Sequence, residues 1–232
     1  MDFAITMSTY QRVDNKTPFF LKRALDSIFN QTYKNFKVFL VGDCYENENE
    51  LKKIISKYDE DKIQCSNLSF SPERNKYEKM TLWCCGGLTA INFAIDEAIE
   101  EEYKYICHLD HDDYWSISHL KLINNAIEKT NADWICTKSE YGQDRIFPEI
   151  ESEDLIVPFL PLSGGIINSS TCYNYQTLPL KYRNVLEEDN KLIPSDADLW
   201  DRMKEHILIN NLKSILINST TCFHPDEGYT FQ

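Results

Sequence analysis

The segment His108-Leu109-Asp110-His111-Asp112-Asp113-Tyr114-Trp115 places three carboxylates within four positions, directly after an apolar run. At that spacing like charges repel, and beside a buried strand their charge is costly to leave uncompensated. A divalent cation resolves the conflict. An oxygen-rich set suits Mg²⁺ or Mn²⁺, ions that commonly complete their shells with substrate phosphates. The other reading is an acidic turn whose Asp side chains face the N-terminus of the next helix, and residue types alone leave both open. His108 and His111 are read as packing or supporting groups and not as ligands. A second constellation is Ser195-Asp196-Ala197-Asp198-Leu199-Trp200-Asp201-Arg202. Ser195 suits a helix N-cap, Asp198 its partner in a capping-box-like arrangement, and Asp198 with Arg202 an i,i+4 pair. Capping therefore accounts for Ser195, Asp198 and Arg202, and leaves Asp196 without a structural task.

The elements that must position these residues follow from hydrophobic spacing. Phe3 to Ser8 reads as a buried strand, then Thr17-Pro18 as an N-cap followed by proline at the first helical position. Phe20, Leu21, Ala24, Leu25 and Ile28 recur at helical spacing. A second strand runs from Phe36 to Val41 and ends at Gly42-Asp43. A helix over Glu48 to Tyr58, a strand from Ile63 to Leu68, and a helix opening at Gly86-Gly87 follow. Tyr103 to Leu109 is a fourth strand, a helix carries Leu120, Ile123 and Ile127, and Asp133 to Thr137 is a further strand. Such alternation implies a parallel sheet covered on both faces, with ligands beyond the carboxyl ends of the strands, where Asp43 and the Asp110 cluster stand. After residue 140 the pattern loosens. Leu178 to Leu186 reads as helical, Ser195 to Ile209 as a helix with Leu199, Trp200, Met203 and Ile207 inward, and Leu212 to Ile217 as a late strand. Ser163-Gly164-Gly165 and Ser169-Ser170-Thr171 suit either an acceptor loop or a plain turn.

Composition narrows the function. The 232 residues carry 24 lysines and arginines against 37 aspartates and glutamates, a net charge of −13. That excess argues against nucleic acid, whose phosphates need a basic face, and against docking on an anionic membrane by net charge. Only seven glycines occur, and neither G-x-x-x-x-G-K-[ST] nor G-x-G-x-x-G is present, so phosphates must be held some other way. The start of the chain has no basic, apolar leader, and no apolar stretch is long enough to span a bilayer. The eight cysteines show no C-x-x-C and read as reduced thiols.

Taken in order, the stretches Ser8-Thr9-Tyr10-Gln11-Arg12, Leu21 to Ile28, Gln31 to Phe36, Val41-Gly42-Asp43, the spacing of Gly86, Ala90 and Asn92, Asp110-His111-Asp112, and Ser195 to Arg202 resemble family 2 glycosyltransferases of the GT-A fold. The match is nearly continuous over residues 3 to 130 and returns at 195 to 203. It implies one α/β domain over 1–232: a Rossmann-like, mostly parallel central sheet with helices on both faces, a nucleotide-sugar-binding half at 1–140 and a smaller acceptor-side half at 141–232. It also implies an inverting transfer from a nucleotide-diphosphate sugar, most simply a UDP-sugar, to a hydroxyl of a saccharide or lipid-linked acceptor, in surface-glycan synthesis. The implied location is the cytoplasm, at the inner face of the membrane.

Residue by residue, the resemblance implies that Asp43 accepts from the base in a pocket lined by Thr9 and Tyr10, with Arg12 nearby. Gly86 and Asn92 start the donor-side helix. Asp110-His111-Asp112 takes the place of the D-x-D motif: Asp110 would contact the ribose or the metal shell, Asp112 would bind Mn²⁺ or Mg²⁺, and Asp113 would lie beside the sugar. The general base falls on Asp196, with Asp198 as the alternative. His224 is either a further metal ligand, as in some GT-A enzymes, or a surface histidine before a turn. Three positions depart from the family: one aspartate at Asp43 where two are usual, Ile91 where arginine is common, and Ser195 where glutamate is common. Two rival functions are a metal-dependent nucleotidyltransferase, which would show a basic glycine-rich loop where Ser8 to Val13 offers only Arg12, and a non-catalytic nucleotide-sugar-binding subunit.

Overall fold

The computed structural model describes residues 1–142 and 144–225. Strands β1 (Phe3–Thr9), β2 (Phe36–Gly42), β3 (Ile63–Asn67) and β4 (Tyr105–His108) lie parallel in the order β3-β2-β1-β4. Consecutive side chains of β1 serve opposite faces. Phe3, Ile5 and Met7 pack with Leu21, Leu25 and Ile28 of α1 (Thr17–Phe29) and with Leu120, Ile123 and Ile127 of α6 (His119–Thr130). Ala4 joins Phe39 and Val41 against Ala90, Ala94 and Ile95 of α5 (Leu88–Glu100) and Leu199, Trp200 and Met203 of α8 (Ser195–Asn210). With helices on both faces, each position is buried whichever way it points, which is why these strands read as continuous apolar runs.

Beyond β4 the sheet is mixed. The strand β9 (Thr171–Asn174) inserts antiparallel between β4 and β6 (Trp134–Tyr141), while β10 (Ser214–His224) returns parallel to β6. Short strands complete it: β5 (Tyr114–Trp115) and β8 (Ile156–Pro158) on β10, and β7 (Arg145–Phe147) on β6. Between them run α2 (Glu48–Ile55), α3 (Pro72–Lys76), α4 (Lys79–Cys85) and α7 (Val185–Asp189). One ten-stranded sheet thus crosses both halves of the chain. All eight cysteines are free thiols.

Several local expectations change. Thr17 is the first helical residue and not the cap: its hydroxyl donates to the Tyr10 carbonyl and accepts from the Arg12 amide, so it ties down the β1–α1 loop. Ser195 likewise begins α8 without capping it, and its hydroxyl donates to the Cys84 carbonyl at 2.9 Å. Of the stretch expected as helix over 178–186 only 185–186 are helical, at the start of α7 (Val185–Asp189), and Asn92 takes up both the amide and the carbonyl of Tyr182 that a helix there would use. The late strand runs on to His224 through register shifts between Ile217 and Cys222. The turn expected after His224, at 226–229, lies outside the described residues.

One buried group makes the fold sensitive to acid. His119 is fully buried, its Nδ1 lies 2.7 Å from Thr221 Oγ1, and its ring stacks on Trp115 at 4.2 Å. Burial pushes its pKa from the ordinary 6.5 down to about 3. The unfolded chain therefore takes up a proton below about pH 6.5 that the folded chain refuses, so this contribution to stability is complete above that pH and is lost as pH falls toward 3. Between pH 7 and pH 5 His119 alone should cost about 2 kcal/mol. Denaturant unfolding of wild type and His119→Gln at both pH values reads this directly. The variant should show a shallower pH slope by that amount, and an unchanged slope would refute the assignment.

Candidate active site

The carboxyl ends of β1, β2 and β4 open on a cavity of about 610 Å³. At β1, Thr9 is buried with its hydroxyl 2.8 Å from the Tyr45 hydroxyl, and Tyr10 follows at the rim. At β2, Asp43 is buried and its Oδ2 accepts from Arg74 Nε. Its Oδ1 is buried and, among the described residues, has no hydrogen bond in good geometry, although the Ser71 hydroxyl lies close enough to lower the carboxyl. Burial raises the Asp43 carboxyl, and Arg74 opposes that rise. The Arg74 guanidinium also lies over the Tyr10 ring, 4.3 Å from its centroid.

Arg74 is aimed by its neighbour. Glu73, buried on α3, accepts from the Thr89 amide and the Thr89 hydroxyl, capping the first turn of α5 where a carboxylate is favoured. Gly87 lets that helix start close to β1. Its φ is +78°, and a Cβ there would lie 3.1 Å from Ser8 Oγ, so both backbone and space favour glycine.

The acidic turn after β4 is tightly held. The Asp113 amide donates to the Asp110 carbonyl at 3.1 Å, the Asp110 amide donates to Ser169 Oγ at 2.9 Å, and Arg23 donates to the Asp112 carbonyl. None of the three carboxylates caps the following helix, whose boundary residue is Ser118. Asp110 and Asp112 face the cavity, and Asp113 points away from it, fully buried. Burial first, and then the charges of Asp113 and Asp112, push the Asp110 carboxyl up to about 8. Asp113 is also raised by burial, against the opposing pull of His224 and of the Ser169 hydroxyl. The His224 Nδ1 stands 2.6 Å from Asp113 Oδ1, and its ring stacks on Tyr141 at 4.5 Å. Burial alone would lower His224, but Asp113 outweighs it and holds the imidazole up at about 9. His224 is therefore no surface histidine, since its side chain is 12% exposed and lines the cavity. Among the described residues, no three His, Cys, Asp or Glu side chains converge closely enough to hold a metal by themselves.

The opposite wall is the start of α8. Asp196 lines the cavity, its Oδ1 accepts from the Ala197 amide at 2.8 Å, and burial raises its carboxyl. Asp198 lies outside the cavity lining. One of its oxygens takes Arg183 at 2.7 Å and the other takes Arg202 at 2.7 Å. Burial would raise Asp198, but these two arginines outweigh it and hold the carboxyl below its usual value. No capping box forms, because the arginines occupy the oxygens that would have made it.

Eight of the residues singled out in the sequence therefore meet in one cavity: Thr9, Tyr10, Asp43, Gly86, Asp110, Asp112, Asp196 and His224. Four do not line it. Arg12 forks onto Asp14 and lies 3.8 Å from Asp112, Asp113 supports His224, and Asp198 is locked by arginines. Asn92 acts at a distance: it clamps Tyr182, whose hydroxyl donates to Asn168 Oδ1, and the Asn168 amide reaches Asp110 Oδ1 at 3.4 Å. Arg74, Lys79, Trp83 and Tyr182 line the cavity without having been picked out. Only Arg74 left a trace in the sequence, as it follows the Ser71-Pro72 helix start.

Comparison with known proteins places this geometry. The glycosyltransferase of Acanthamoeba polyphaga mimivirus is 34% identical over 234 residues, covering 97% of this chain and 94% of the relative. Among solved structures, Staphylococcus aureus TarS 1–349 in complex with UDP-GlcNAc superposes with a TM-score of 0.69 at 16% identity, over 100% of this chain and 60% of that one. The mannosyltransferase PcManGT from Pyrobaculum calidifontis, in complex with GDP-Man and Mn²⁺, gives 0.64 at 13% identity, over 98% of this chain and 58% of that one. The chain thus spans less than two thirds of either solved protein, and it shares with them the GT-A fold. The sequence model of glycosyl transferase family 2 matches residues 5–175, from the first strand through the acidic turn to the strand inserted beside it, and the chain belongs to that family.

Proposed function

We propose that the chain transfers a sugar from a UDP-sugar to an acceptor hydroxyl, with inversion at the anomeric carbon and with a divalent cation, in the building of a surface glycan. One observation carries this reading: Asp43, Asp110, Asp112 and Asp196, spread over the chain, open on a single cavity of about 610 Å³, within the usual size range of a small-molecule site. That TarS was solved with UDP-GlcNAc and PcManGT with GDP-Man supports a sugar-nucleotide donor. Asp43 Oδ1, buried and without a hydrogen bond in good geometry among the described residues, would be the acceptor offered to a base N–H, beside the Tyr10 ring. The donor would sit on residues 1–140, with the acceptor entering from the side of 141–232.

The residues present fit a divalent cation. Burial first, and then the charges of Asp113 and Asp112, push Asp110 up to about 8, and Asp113 in the same turn is also raised by burial. Such a cluster is relieved by positive charge. Asp112 and Asp110 would hold the ion, with diphosphate oxygens completing the shell. His224, oriented by the Asp113 bond to Nδ1, would stand behind this pair on the cavity wall, since no three such side chains converge among the described residues. When bound, the cation would stabilise the departing diphosphate as a Lewis acid. Asp196 would take the proton of the acceptor hydroxyl as its oxygen bonds to the anomeric carbon and the bond from that carbon to the diphosphate breaks. Asp198 is unsuited to that task, because both its oxygens are held by arginines.

The test is thermal. At UDP concentrations about 100-fold above Kd, mass action adds about 2.7 kcal/mol, or roughly 5–10 °C for a domain of this size. The shift should appear with UDP plus Mn²⁺ and vanish with UDP plus chelator, and UDP-sugar hydrolysis should follow the same metal dependence. A shift without any turnover on a UDP-sugar panel would replace the enzyme by a binding subunit, and no shift with any uridine or guanosine diphosphate would overturn the donor class.

A further inference from the structure

The face of α4 that meets the cavity is not used by any step above. Trp83 on this helix is 51% exposed, although the other three tryptophans are at most 3% exposed. Its indole has no ring partner among the described residues, yet it lines the same cavity as Asp196. One turn earlier Lys79 also lines the cavity. Among the described residues it makes no ion pair or side-chain hydrogen bond, although carboxylates outnumber cations on this chain by 37 to 24. Its backbone is left-handed, with φ +52°, an uncommon conformation for lysine that recurs at functional sites. The position of this face is fixed relative to the base: the carbonyl of Cys84, next to Trp83, accepts from Ser195 Oγ, next to Asp196. The charge of Asp196 is felt at the Cys84 thiol, which burial first and then Asp196 raise.

From this arrangement we infer that Lys79 and Trp83 form the acceptor subsite, and that the acceptor is a saccharide ring bearing a carboxylate or a phosphate. The indole offers a flat apolar surface to the C–H face of a pyranose, with its ring edge left free for solvent or hydroxyl groups. Lys79 supplies a point charge for the anionic substituent. The Cys84–Ser195 bond then places the ring's hydroxyls next to Asp196. The inference rests on the transfer reaction proposed above and adds to it the acceptor's chemical class. It also brings acceptor contacts into the first half of the chain.

Because Trp83 is the one exposed tryptophan, acrylamide quenching of intrinsic fluorescence reports on it selectively. Three probes separate the chemistries: methyl β-glucuronide, glucose 6-phosphate and neutral methyl β-glucoside, each with and without UDP and Mn²⁺. The expected result is protection of Trp83 by one or both anionic sugars at concentrations about tenfold below those needed for the neutral glucoside, the carboxylate and phosphate arms identifying the group. In Lys79→Met that preference should disappear while the UDP-dependent thermal shift is kept. Saturation-transfer NMR should detect the preferred sugar on wild type and Trp83→Phe and lose it on Trp83→Ala, with affinity falling about tenfold or more. Protection by none of the sugars, equal protection by all three, or a preference that survives in Lys79→Met overturns the inference. Failure of the UDP shift in wild type would instead strike the donor assignment.

Discussion

Asp112→Asn is expected to abolish metal-dependent donor binding and turnover while leaving the fold intact. The side chain is 25% exposed at the cavity wall, with Arg12 Nη1 3.8 Å from its Oδ2. Removing its charge also relieves Asp110, which Asp112 helps to raise, so the ligand-free variant should unfold within about 0.5 kcal/mol of wild type. The loss should appear in the loaded protein. With one of the two cavity-facing carboxylates of the acidic turn neutralised, UDP affinity in Mn²⁺ should fall at least about 100-fold, and donor hydrolysis should fall with it. Calorimetry with UDP, with and without Mn²⁺, checks the first, and release of UDP from a UDP-sugar checks the second. Turnover at the wild-type rate would remove the cation from Asp112. Loss of UDP binding equally with and without Mn²⁺ would make Asp112 a direct donor contact.

What could be read in the sequence was what is local. β1, β2 and β4 are apolar runs buried on both faces, and a charged residue just after such a run stands at the carboxyl end of a sheet, so Asp43 and the Asp110 turn were legible. Asp196, which lines the cavity, was singled out by the family resemblance, capping having left it without a structural task. Yet the capping argument was itself mistaken: Ser195 bonds to Cys84, 111 residues away, and Asp198 to Arg183, 15 residues away. The expected i,i+4 pair of Asp198 with Arg202 does form, but the caps that spacing rules look for within a helical turn gave way to tertiary partners. The same reason hid Arg74 and recast Asn92. Arg74 matters because Glu73 caps a helix 16 residues later, and Asn92 because it grips Tyr182, 90 residues on. The expected helix over 178–186 failed through that same grip, which uses the Tyr182 amide and carbonyl that helix would have needed. The mixed second half was illegible for a compositional reason. The inserted antiparallel strand β9, Thr171-Cys172-Tyr173-Asn174, is buried but only four residues long and half polar, so it leaves no apolar run to read, and its partners lie far away in sequence.

Asp196→Asn should separate binding from chemistry. The asparagine oxygen can still accept from the Ala197 amide, and the Ser195–Cys84 bond that anchors the start of α8 is untouched. The cavity should therefore keep its shape, and UDP with Mn²⁺ should bind as in wild type. What should be lost is the proton acceptor proposed above, a contribution of about 10²–10⁴-fold to rate. Burial raises the Asp196 carboxyl, so it holds a proton more readily than an exposed aspartate. The wild-type transfer rate should accordingly fall on the acid side at a higher pH than an ordinary carboxylate would give, because only the ionised form accepts the proton. Asp198→Asn provides the contrast. It strips a buried partner from Arg183 and Arg202, an uncompensated loss that costs about 3–5 kcal/mol when fully buried and less at this partly exposed site. Its damage should therefore appear first as a lower unfolding midpoint. Measuring transfer and denaturant stability together on both variants decides the assignment. Loss of transfer at unchanged stability in Asp196→Asn supports Asp196 as the base. Transfer that survives there but is lost in a stably folded Asp198→Asn would move the base to Asp198, and require Arg183 and Arg202 to release it when the acceptor binds.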